Sequence, residues 1–241
     1  MLNVLERLLG KRNPELFCSA VVVAAGNSSR MQGTDKIMAE LDGRPVICHT
    51  LHALELCPLI HEIVVVTRED LIIPISRLCY DSGFKKTVKV VVGGNSRTES
   101  VSCGLNEVNR DAELIAIHDG ARPFLSQELL REVISTAARC NAAAPAVPVK
   151  DTIKRAEDGQ VRETPDRKNL FAVQTPQVFE ASLIRAAIQQ AVSEKITLTD
   201  DCAAVERLGM TVCLTAGAYE NLKITTPTDL LFGELLIQQN R

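Results

Sequence analysis

Residues 20–36 read AVVVAAGNSSRMQGTDK, a β-branched run that passes through small residues into a polar loop carrying Arg30 and Lys36. A short run that is apolar on every residue is typical of a parallel strand buried on both faces. Gly26 and its small neighbours allow backbone N–H groups to approach an anion closely, and the two cations add positive charge. The stretch predicts a first strand that ends in a phosphate-binding loop, although an ordinary surface loop would explain the same residues.

The same stretch excludes two better-known nucleotide-binding loops. It lacks the G-x-x-x-x-G-K-[ST] pattern, because Asp35 and not a glycine precedes Lys36. It also lacks the G-x-G-x-x-G pattern, because Ser28 stands where the second glycine would be. A nicotinamide-dependent reductase is therefore disfavoured, and a failure to bind NADPH would exclude it.

Apolar runs alternate with segments of helical length along most of the chain. The predicted strands are 20–24, 62–67, 87–92, 113–118 and 142–149, and the predicted helices between them are 45–57, 71–83, 96–108 and 126–138. Further helices are predicted at 180–192, 200–208 and 227–239, and a further strand at 211–215. This alternation indicates an α/β fold with a Rossmann-like, mostly parallel sheet flanked by helices.

The alternation is interrupted after residue 149 by a charged excursion over residues 150–176. Two strand-like runs in it flank Asp158-Gly159, which is a hairpin turn signal. An excursion of this length in a compact domain is usually functional or an interaction element. The sequence therefore predicts a projecting β-arm here.

Composition narrows the class of protein. The 241-residue chain is 46% hydrophobic and 24% charged, as in an ordinary globular protein. A net charge of −3 and an aromatic content of 3% disfavour a nucleic-acid-binding protein. No apolar run approaches the ~20 residues of a membrane helix, so we expect no membrane contact.

Residues 1–17 form an N-terminal extension that we interpret as a short helix and not as a secretory signal, since no small-residue cleavage site follows. The eight cysteines show no C-x-x-C spacing, which argues against structural zinc. We interpret them as mostly buried, reduced thiols and expect a cytoplasmic protein.

Two polar segments follow later predicted strands. Residues 92–101, VGGNSRTESV, are a glycine-rich strand end that opens a helix, although a tight turn with a capping box of Ser96 and Glu99 explains them as well. Asp119 and Arg122 lie three residues apart after another strand, which suits a metal–phosphate or sugar-phosphate site, or a salt bridge that closes a turn. Ligands of open α/β sheets bind beyond the carboxyl ends of the strands, so one crevice can receive both segments.

The excursion and the late segment ENLKIT add further cations. Thr152 and Arg167 in the excursion provide hydroxyl and guanidinium groups that suit a phosphomonoester, although a solvated hairpin face explains them too. Lys223 belongs to ENLKIT, which we predict to be a short strand. His118, next to Asp119, is interpreted as a packing residue. Cations that recur on loops at one sheet edge fit the handling of a nucleoside triphosphate.

From about residue 18 to residue 236 the chain closely resembles the cytidylyltransferases that make 4-diphosphocytidyl-2-C-methylerythritol from methylerythritol 4-phosphate and CTP. The matching pieces occur in order: AAG…SRM…DK, GGNSRTESV, HDGARP, VPVKDTIKR, TPDRKNLFAVQTPQVF, LTDDCAAVE and ENLKITTPTDL. Their combination is specific, whereas no single piece is. A sister group that uses ribitol 5-phosphate shares most of these pieces and is the alternative, with a non-catalytic nucleotide-binding module as a more distant one.

The resemblance implies a fold like that of nucleotide-diphospho-sugar transferases, with a single domain over residues 18–241 and a dimerisation β-arm at about 150–176. In the family the arm exchanges with a second protomer, so a homodimer is expected, with CTP as co-substrate and Mg²⁺ or another divalent cation as cofactor. The implied catalytic residues are Arg30, Lys36 and Lys223. The implied CTP-binding residues are Ala24, Ala25, Gly26, Asn27, Gly94, Asn95, Ser100 and Ala121. The implied acceptor-binding residues are Asp119, Arg122, Thr152 and Arg167, and Asp119 is also the implied metal contact.

Two positions depart from the family's usual sequence. Ser28 stands where a second glycine is usual, and Asp35-Lys36-Ile37 replaces the usual Pro-Lys-Gln. Because the lysine itself is retained, the resemblance still implies the family's chemistry.

Overall fold

The computed structural model describes residues 16–26, 31 and 35–239. The strands are β1 (Cys18–Val23), β2 (Glu40–Leu41), β3 (Arg44–Pro45), β4 (Glu62–Thr67), β5 (Thr87–Val92), β6 (Leu114–Asp119), β7 (Ala142–Pro148), β8 (Arg155–Glu157), β9 (Gln160–Glu163), β10 (Phe171–Val173), β11 (Gln177–Glu180) and β12 (Cys213–Ala216). The helices are α1 (Val46–Leu56), α2 (Ile72–Asp81), α3 (Arg97–Glu107), α4 (Gln127–Cys140), α5 (Ala181–Ser193), α6 (Asp201–Arg207) and α7 (Pro227–Gln239).

Among the described residues, eight strands form one central sheet in the order β10-β7-β11-β6-β1-β4-β5, with β12 paired to β7. β1 lies in the middle and pairs in parallel with β4 and β6, and the pairs β4–β5 and β7–β12 are also parallel. Of the strands described in this sheet, only β10 and β11 run antiparallel to their neighbours. The α/β fold with a mostly parallel sheet is therefore confirmed.

Helices cover the sheet on both faces, because successive residues of the central strands point to opposite sides and both sides are apolar. Val22 of β1 packs in a core with Leu51 of α1 and Leu130 of α4. Its neighbour Val21 packs in a second core with Val101 of α3. With both faces covered, the carboxyl ends of the strands are the part of the sheet that is left open to a ligand.

The start of α3 follows the predicted capping signal, with one difference. The Ser96 hydroxyl accepts a hydrogen bond from the Glu99 N–H at 3.1 Å and so caps α3. The Glu99 carboxylate accepts from the N–H of Asn95 at 2.7 Å, whereas a capping box would direct it to the N–H of Ser96. The Glu99 side chain therefore stabilises the glycine-containing turn that precedes α3.

Three details of the secondary structure were predicted wrongly. β5 is half exposed instead of buried on both faces, because it is an edge strand that pairs only with β4. The segment around Lys223 is a loop and not a short strand. β10 and β11 were not predicted, since they are short and the polar stretch Gln174-Thr175 separates them. The helix expected within residues 1–17 lies almost wholly outside the described residues.

The excursion contains a hairpin that stands apart from the central sheet. β8 and β9 pair with no other strand of the part of the chain that the structure describes. The turn between them, Asp158-Gly159, has positive φ at both residues (49° and 74°), as a type I′ turn requires. All residues from 151 to 164 are exposed. Within the described part of the chain, no helix has the length and apolar character needed to cross a membrane.

Candidate active site

The carboxyl ends of β1, β4, β5 and β6 meet around a crevice of about 520 Å³. Most of the residues singled out in the sequence line it, on loops that are far apart in the chain. They are Ala24, Ala25, Gly26, Lys36, Gly94, Asn95, Ser100, Asp119, Ala121 and Lys223. The structure thus brings together the nucleotide loop, the second glycine turn and the late lysine.

Close backbone packing shapes the floor of this crevice. A Cβ on Gly93 would lie 2.7 Å from Ala25 Cβ and 2.7 Å from Ser100 Oγ, so only glycine allows the loops after β1 and β5 to touch. A Cβ on Gly26 would lie 3.5 Å from the Nζ of Lys36, which places the lysine amine against the glycine. Small residues therefore leave room for an anion next to a cation.

Asp119 stands at the end of β6 and is surrounded by cations. Its Oδ2 lies 2.8 Å from Lys223 Nζ and 3.5 Å from Arg122 Nε, and its Oδ1 lies 3.7 Å from Arg97 Nη2. Burial alone would raise the pKa of Asp119, but Lys223, Arg97 and Arg122 together hold it well below its usual range. The carboxylate is ionised at neutral pH and accepts hydrogen bonds.

Arg97 is held in the crevice wall by a chain of contacts that the sequence analysis did not assign. Its guanidinium donates two hydrogen bonds to the carboxylate of Asp201, at 2.8 and 2.7 Å. The Oε1 of Gln177 accepts from the N–H groups of Asp201 and Cys202, and its Nε2 donates to Asp200. All of these residues lie in segments that carry the family resemblance: GGNSRTESV, QTPQVF and LTDDCAAVE. The resemblance was therefore the only sequence feature that pointed to them.

A second chain of hydrogen bonds supports Asp119 from behind. The Thr175 hydroxyl accepts from the N–H of Asp119 at 3.1 Å and lies 3.0 Å from His118 Nδ1, while His118 Nε2 lies 3.2 Å from the carbonyl oxygen of Arg122. Burial lowers the pKa of His118 to about 4, so the ring is neutral at pH 7. The neutral ring fits this geometry when Nε2 carries the proton and Nδ1 accepts from Thr175. His118 is thus a packing residue that also orders Asp119 and Arg122.

The loop that contains Lys223 is held by hydrogen bonds to the segments that follow β6 and precede β11. Asn221 donates from Nδ2 to the Thr175 carbonyl at 2.9 Å, and its own carbonyl accepts from Arg122 Nη1 at 2.6 Å. The N–H of Ile224 donates to the carbonyl of Ala121 at 2.8 Å. Lys223 therefore reaches Asp119 from a loop that is fixed on both sides.

Other expected site residues lie elsewhere. Thr152 and Arg167 are exposed on the excursion and do not line the crevice, and Arg167 Nη1 donates to the carbonyl of Lys150. The Arg122 side chain is buried behind Asp119 and is not part of the crevice wall. Asn27 and Arg30 lie outside the described residues.

Asp119 is the crevice carboxylate that lies closest to the gathered cations, and its oxygens already face three of them. Among the residues that the structure describes, no three His, Cys, Asp or Glu side chains form a group that could hold a metal ion. Mg²⁺ is usually bound by one or two carboxylates together with substrate phosphates and water. In the described crevice, Asp119 could therefore supply at most one protein ligand to Mg²⁺, and substrate phosphates and water would have to supply the others.

Comparison with known proteins agrees with this geometry. Residues 18–239 match the family described as 2-C-methyl-D-erythritol 4-phosphate cytidylyltransferase. The chain is 44% identical over 228 residues to the protein of that name from Caldanaerobacter subterraneus subsp. tengcongensis, covering 92% of this chain and 99% of the relative. It is 43% identical over 222 residues to the protein of the same name from Halalkalibacterium halodurans, covering 92% and 97%.

Solved structures give the same result at the level of the fold. The 4-diphosphocytidyl-2C-methyl-D-erythritol synthase from Anaerococcus prevotii superposes with a TM-score of 0.83 at 32% identity, covering 92% of this chain and 96% of that one. The 2-C-methyl-D-erythritol 4-phosphate cytidylyltransferase from Thermus thermophilus superposes with a TM-score of 0.73 at 29% identity, covering 90% and 98%. The chain belongs to the 2-C-methyl-D-erythritol 4-phosphate cytidylyltransferase family.

Proposed function

We propose that this protein transfers the CMP group of CTP to 2-C-methyl-D-erythritol 4-phosphate, giving 4-diphosphocytidyl-2-C-methyl-D-erythritol and pyrophosphate. This reaction is a step in the synthesis of isoprenoid precursors by the non-mevalonate pathway. The main support for the proposal is that Lys36, Lys223 and Arg97 line a single crevice at the carboxyl ends of the strands. Three cations in one crevice favour the binding of an anionic ligand. Membership of the family supplies the identity of the two substrates.

In this proposal the nucleotide lies across the two glycine-containing loops. The backbone of Ala24, Ala25 and Gly26, together with Asn27, receives the triphosphate, and Lys36 lies against Gly26. Gly94, Asn95, Ser100 and Ala121 hold the base and the ribose. The contact between the two loops at Gly93 supports this arrangement, because it fixes the distance between the phosphate and base subsites.

The chemical step is an attack by a phosphate oxygen of the acceptor on the α-phosphorus of CTP. The new P–O bond forms while the bond from the α-phosphorus to the bridging oxygen breaks, and pyrophosphate leaves with the electron pair. A phosphate dianion is nucleophilic at neutral pH, so no general base is required. The barrier comes from bringing anions together, and Arg30, Lys36 and Lys223 lower it as fixed positive charge.

Asp119 is proposed to bind the acceptor at the end of β6, and Arg122, whose buried Nε lies 3.5 Å from Asp119 Oδ2, is proposed to support it from behind. The very low pKa of Asp119 makes it a poor base but a good hydrogen-bond acceptor for the hydroxyl groups of a sugar alcohol. Magnesium, when bound, would neutralise charge on the phosphates, and Asp119 is the protein carboxylate that would face it.

The excursion is proposed to act as an arm between two protomers of a single-domain homodimer. Thr152 and Arg167 lie on it, exposed and outside the crevice of their own chain. Phe171 and Val173 on the edge strand β10, which is the part of the excursion that joins the central sheet, are 45% and 39% exposed, so the excursion presents an apolar sheet edge. In such a dimer Thr152 and Arg167 would bind the acceptor phosphate in the partner's crevice. A cytoplasmic location is also proposed, and the buried free thiols fit a reducing compartment.

A pyrophosphate-release assay with CTP tests the function. Methylerythritol 4-phosphate and ribitol 5-phosphate are offered separately, and UTP replaces CTP as the control. We expect kcat/KM to be higher with methylerythritol 4-phosphate and release to require CTP. A preference for ribitol 5-phosphate would support the sister activity, and CTP binding without release from either acceptor would support a non-catalytic module.

A further inference from the structure

The carboxylate of Asp35, directly before Lys36 in the chain, makes contacts in two directions. Its Oδ1 accepts hydrogen bonds from the N–H of Ile37 at 2.8 Å and of Met38 at 3.3 Å. Its Oδ2 lies 2.6 Å from Nη2 of Arg68. The first pair of contacts closes the turn that contains Lys36, and the ion pair ties this turn to the loop after β4.

Arg68 connects this turn to the wall of the crevice. It follows Thr67, the last residue of β4, and lines the crevice itself. The side chains of Arg68 and Asp35 are only 25% and 22% exposed, whereas Asp70, the other partner of Arg68, is 65% exposed. Arg68 Nε and Nη2 donate to the two carboxylate oxygens of Asp70, both at 3.1 Å, so Asp70 orients the guanidinium while the shorter contact with Asp35 ties it to the turn.

The chain on the other side of Lys36 is also anchored. The carbonyl of Ile37 accepts from the N–H of Ile47 at 3.1 Å, and the carbonyl of Ala39 accepts from the N–H of Val46 at 2.9 Å. These bonds fix the turn to the first residues of α1. Asp35 supplies the corresponding restraint on the side of the nucleotide loop.

We propose that Asp35 is a positioning residue for Lys36, which closes the lysine turn and, through Arg68, holds that turn against the end of β4. The amine of Lys36 is thereby directed towards the backbone of Gly26. The usual proline of the family restricts φ through its ring, but it has no carboxylate to offer Arg68. The inference rests on the proposed catalytic role of Lys36.

A double-mutant cycle in kcat tests the ion pair. Asp35→Asn keeps an oxygen that accepts from the N–H of Ile37 but loses the charge, and Arg68→Gln removes the opposite charge. We expect each single change to lower kcat by roughly tenfold, since a displacement of about 1 Å costs up to ~10²-fold. The double variant is expected to be no slower than either single one, because both changes remove the same contact.

Matched controls separate positioning from general damage. Asp81→Asn removes the partner of the exposed Arg77, and neither residue lines the crevice, so kcat is expected to stay within about twofold of wild type. Asp35→Ala, which also removes the turn closure, is expected to be slower than Asp35→Asn. Melting temperatures of all variants establish that each kcat belongs to folded protein.

Lys36→Ala measured alongside distinguishes the two proposals. If it loses activity while Asp35→Asn and Asp35→Ala keep a kcat within about twofold of wild type, the positioning role is overturned and the catalytic role stands. If Lys36→Ala itself turns over normally, the catalytic role fails. Independent, additive losses in the Asp35–Arg68 cycle would also overturn the positioning role, because the two side chains would then not act as a unit.

Discussion

Lys36 is the residue on which the proposed chemistry depends most, because its amine lies against the glycine of the nucleotide loop. Lys36→Ala is expected to lower kcat by at least ~10²-fold, as the loss of a group that stabilises transition-state charge does. Lys85→Ala, which removes an exposed lysine that does not line the crevice, is the matched control. Steady-state pyrophosphate release measures both, and near-normal turnover of Lys36→Ala would remove this residue from the catalytic set.

We predict that His118 makes the free energy of unfolding depend on pH. Burial lowers its pKa from 6.5 to about 4 in the folded chain, so it contributes stability that is present above pH 6.5 and is lost as pH falls towards 4. At about 1.36 kcal/mol for each pKa unit, the loss is of the order of 3 kcal/mol. The difference in unfolding free energy between wild type and His118→Asn should shrink by that amount over this range.

Urea unfolding at pH 7.5, 5.5 and 4 measures this difference. His52→Asn, the same substitution at an exposed histidine, is measured alongside as the control. A constant difference between wild type and His118→Asn across the three pH values would show that His118 is not held neutral by burial.

At the scale of elements, the start of α6 supports the wall of the crevice through the ion pair of Asp201 with Arg97. The Asp201 side chain is 1% exposed, so Asp201→Ala leaves a guanidinium without its buried partner. We expect the free energy of unfolding to fall by about 3–5 kcal/mol. Glu107→Ala, which removes the exposed partner of Lys89, should cost less than about 1 kcal/mol in the same chemical denaturation experiment. Equal costs would contradict the account.

If the arm supplies Arg167 to an acceptor site, its loss should weaken the binding of the acceptor. Arg167→Ala is expected to raise the KM for the acceptor phosphate and to leave the KM for CTP nearly unchanged, because Arg167 lies on the arm, away from the nucleotide loops. An unchanged acceptor KM would remove it from the binding set.

Mixing Lys36→Ala with Arg167→Ala protomers tests the exchange itself. A hybrid dimer has one crevice in which both the lysine and the arm arginine are intact, so the mixture should regain part of the wild-type activity. Mixing each variant with itself is the control. If the hybrid mixture regains nothing, the arm does not serve the crevice of a second protomer.

The sequence predicted those parts of the molecule that leave a local pattern. β4 and β6 each contain a run of four apolar residues, and each ends in a segment that lines the crevice, so their placement followed from this pattern and from the rule for strand ends. Gly26, Lys36 and Asp119 could be proposed as neighbours on the same grounds. β10 and β11 left no such pattern because they are short and antiparallel.

The supporting contacts of the site could not be predicted in this way. Arg97 and Asp201 are 104 positions apart, and His118 and Thr175 are 57 positions apart, so no spacing in the sequence joins them. Both pairs depend on where α6 and β11 dock on the sheet. The resemblance singled out the segments that contain these residues, and the structure adds the contact that each one makes.

For the whole molecule, the central claim is that the acceptor's phosphate attacks the α-phosphorus of CTP within this crevice. The most direct test uses acceptor whose phosphate carries ¹⁸O and follows the label by phosphorus NMR and mass spectrometry of the products. The account predicts that all of the label stays in 4-diphosphocytidyl-2-C-methylerythritol and that the released pyrophosphate carries none. Label in pyrophosphate, or release of CMP with a diphosphate left on the acceptor, would contradict it.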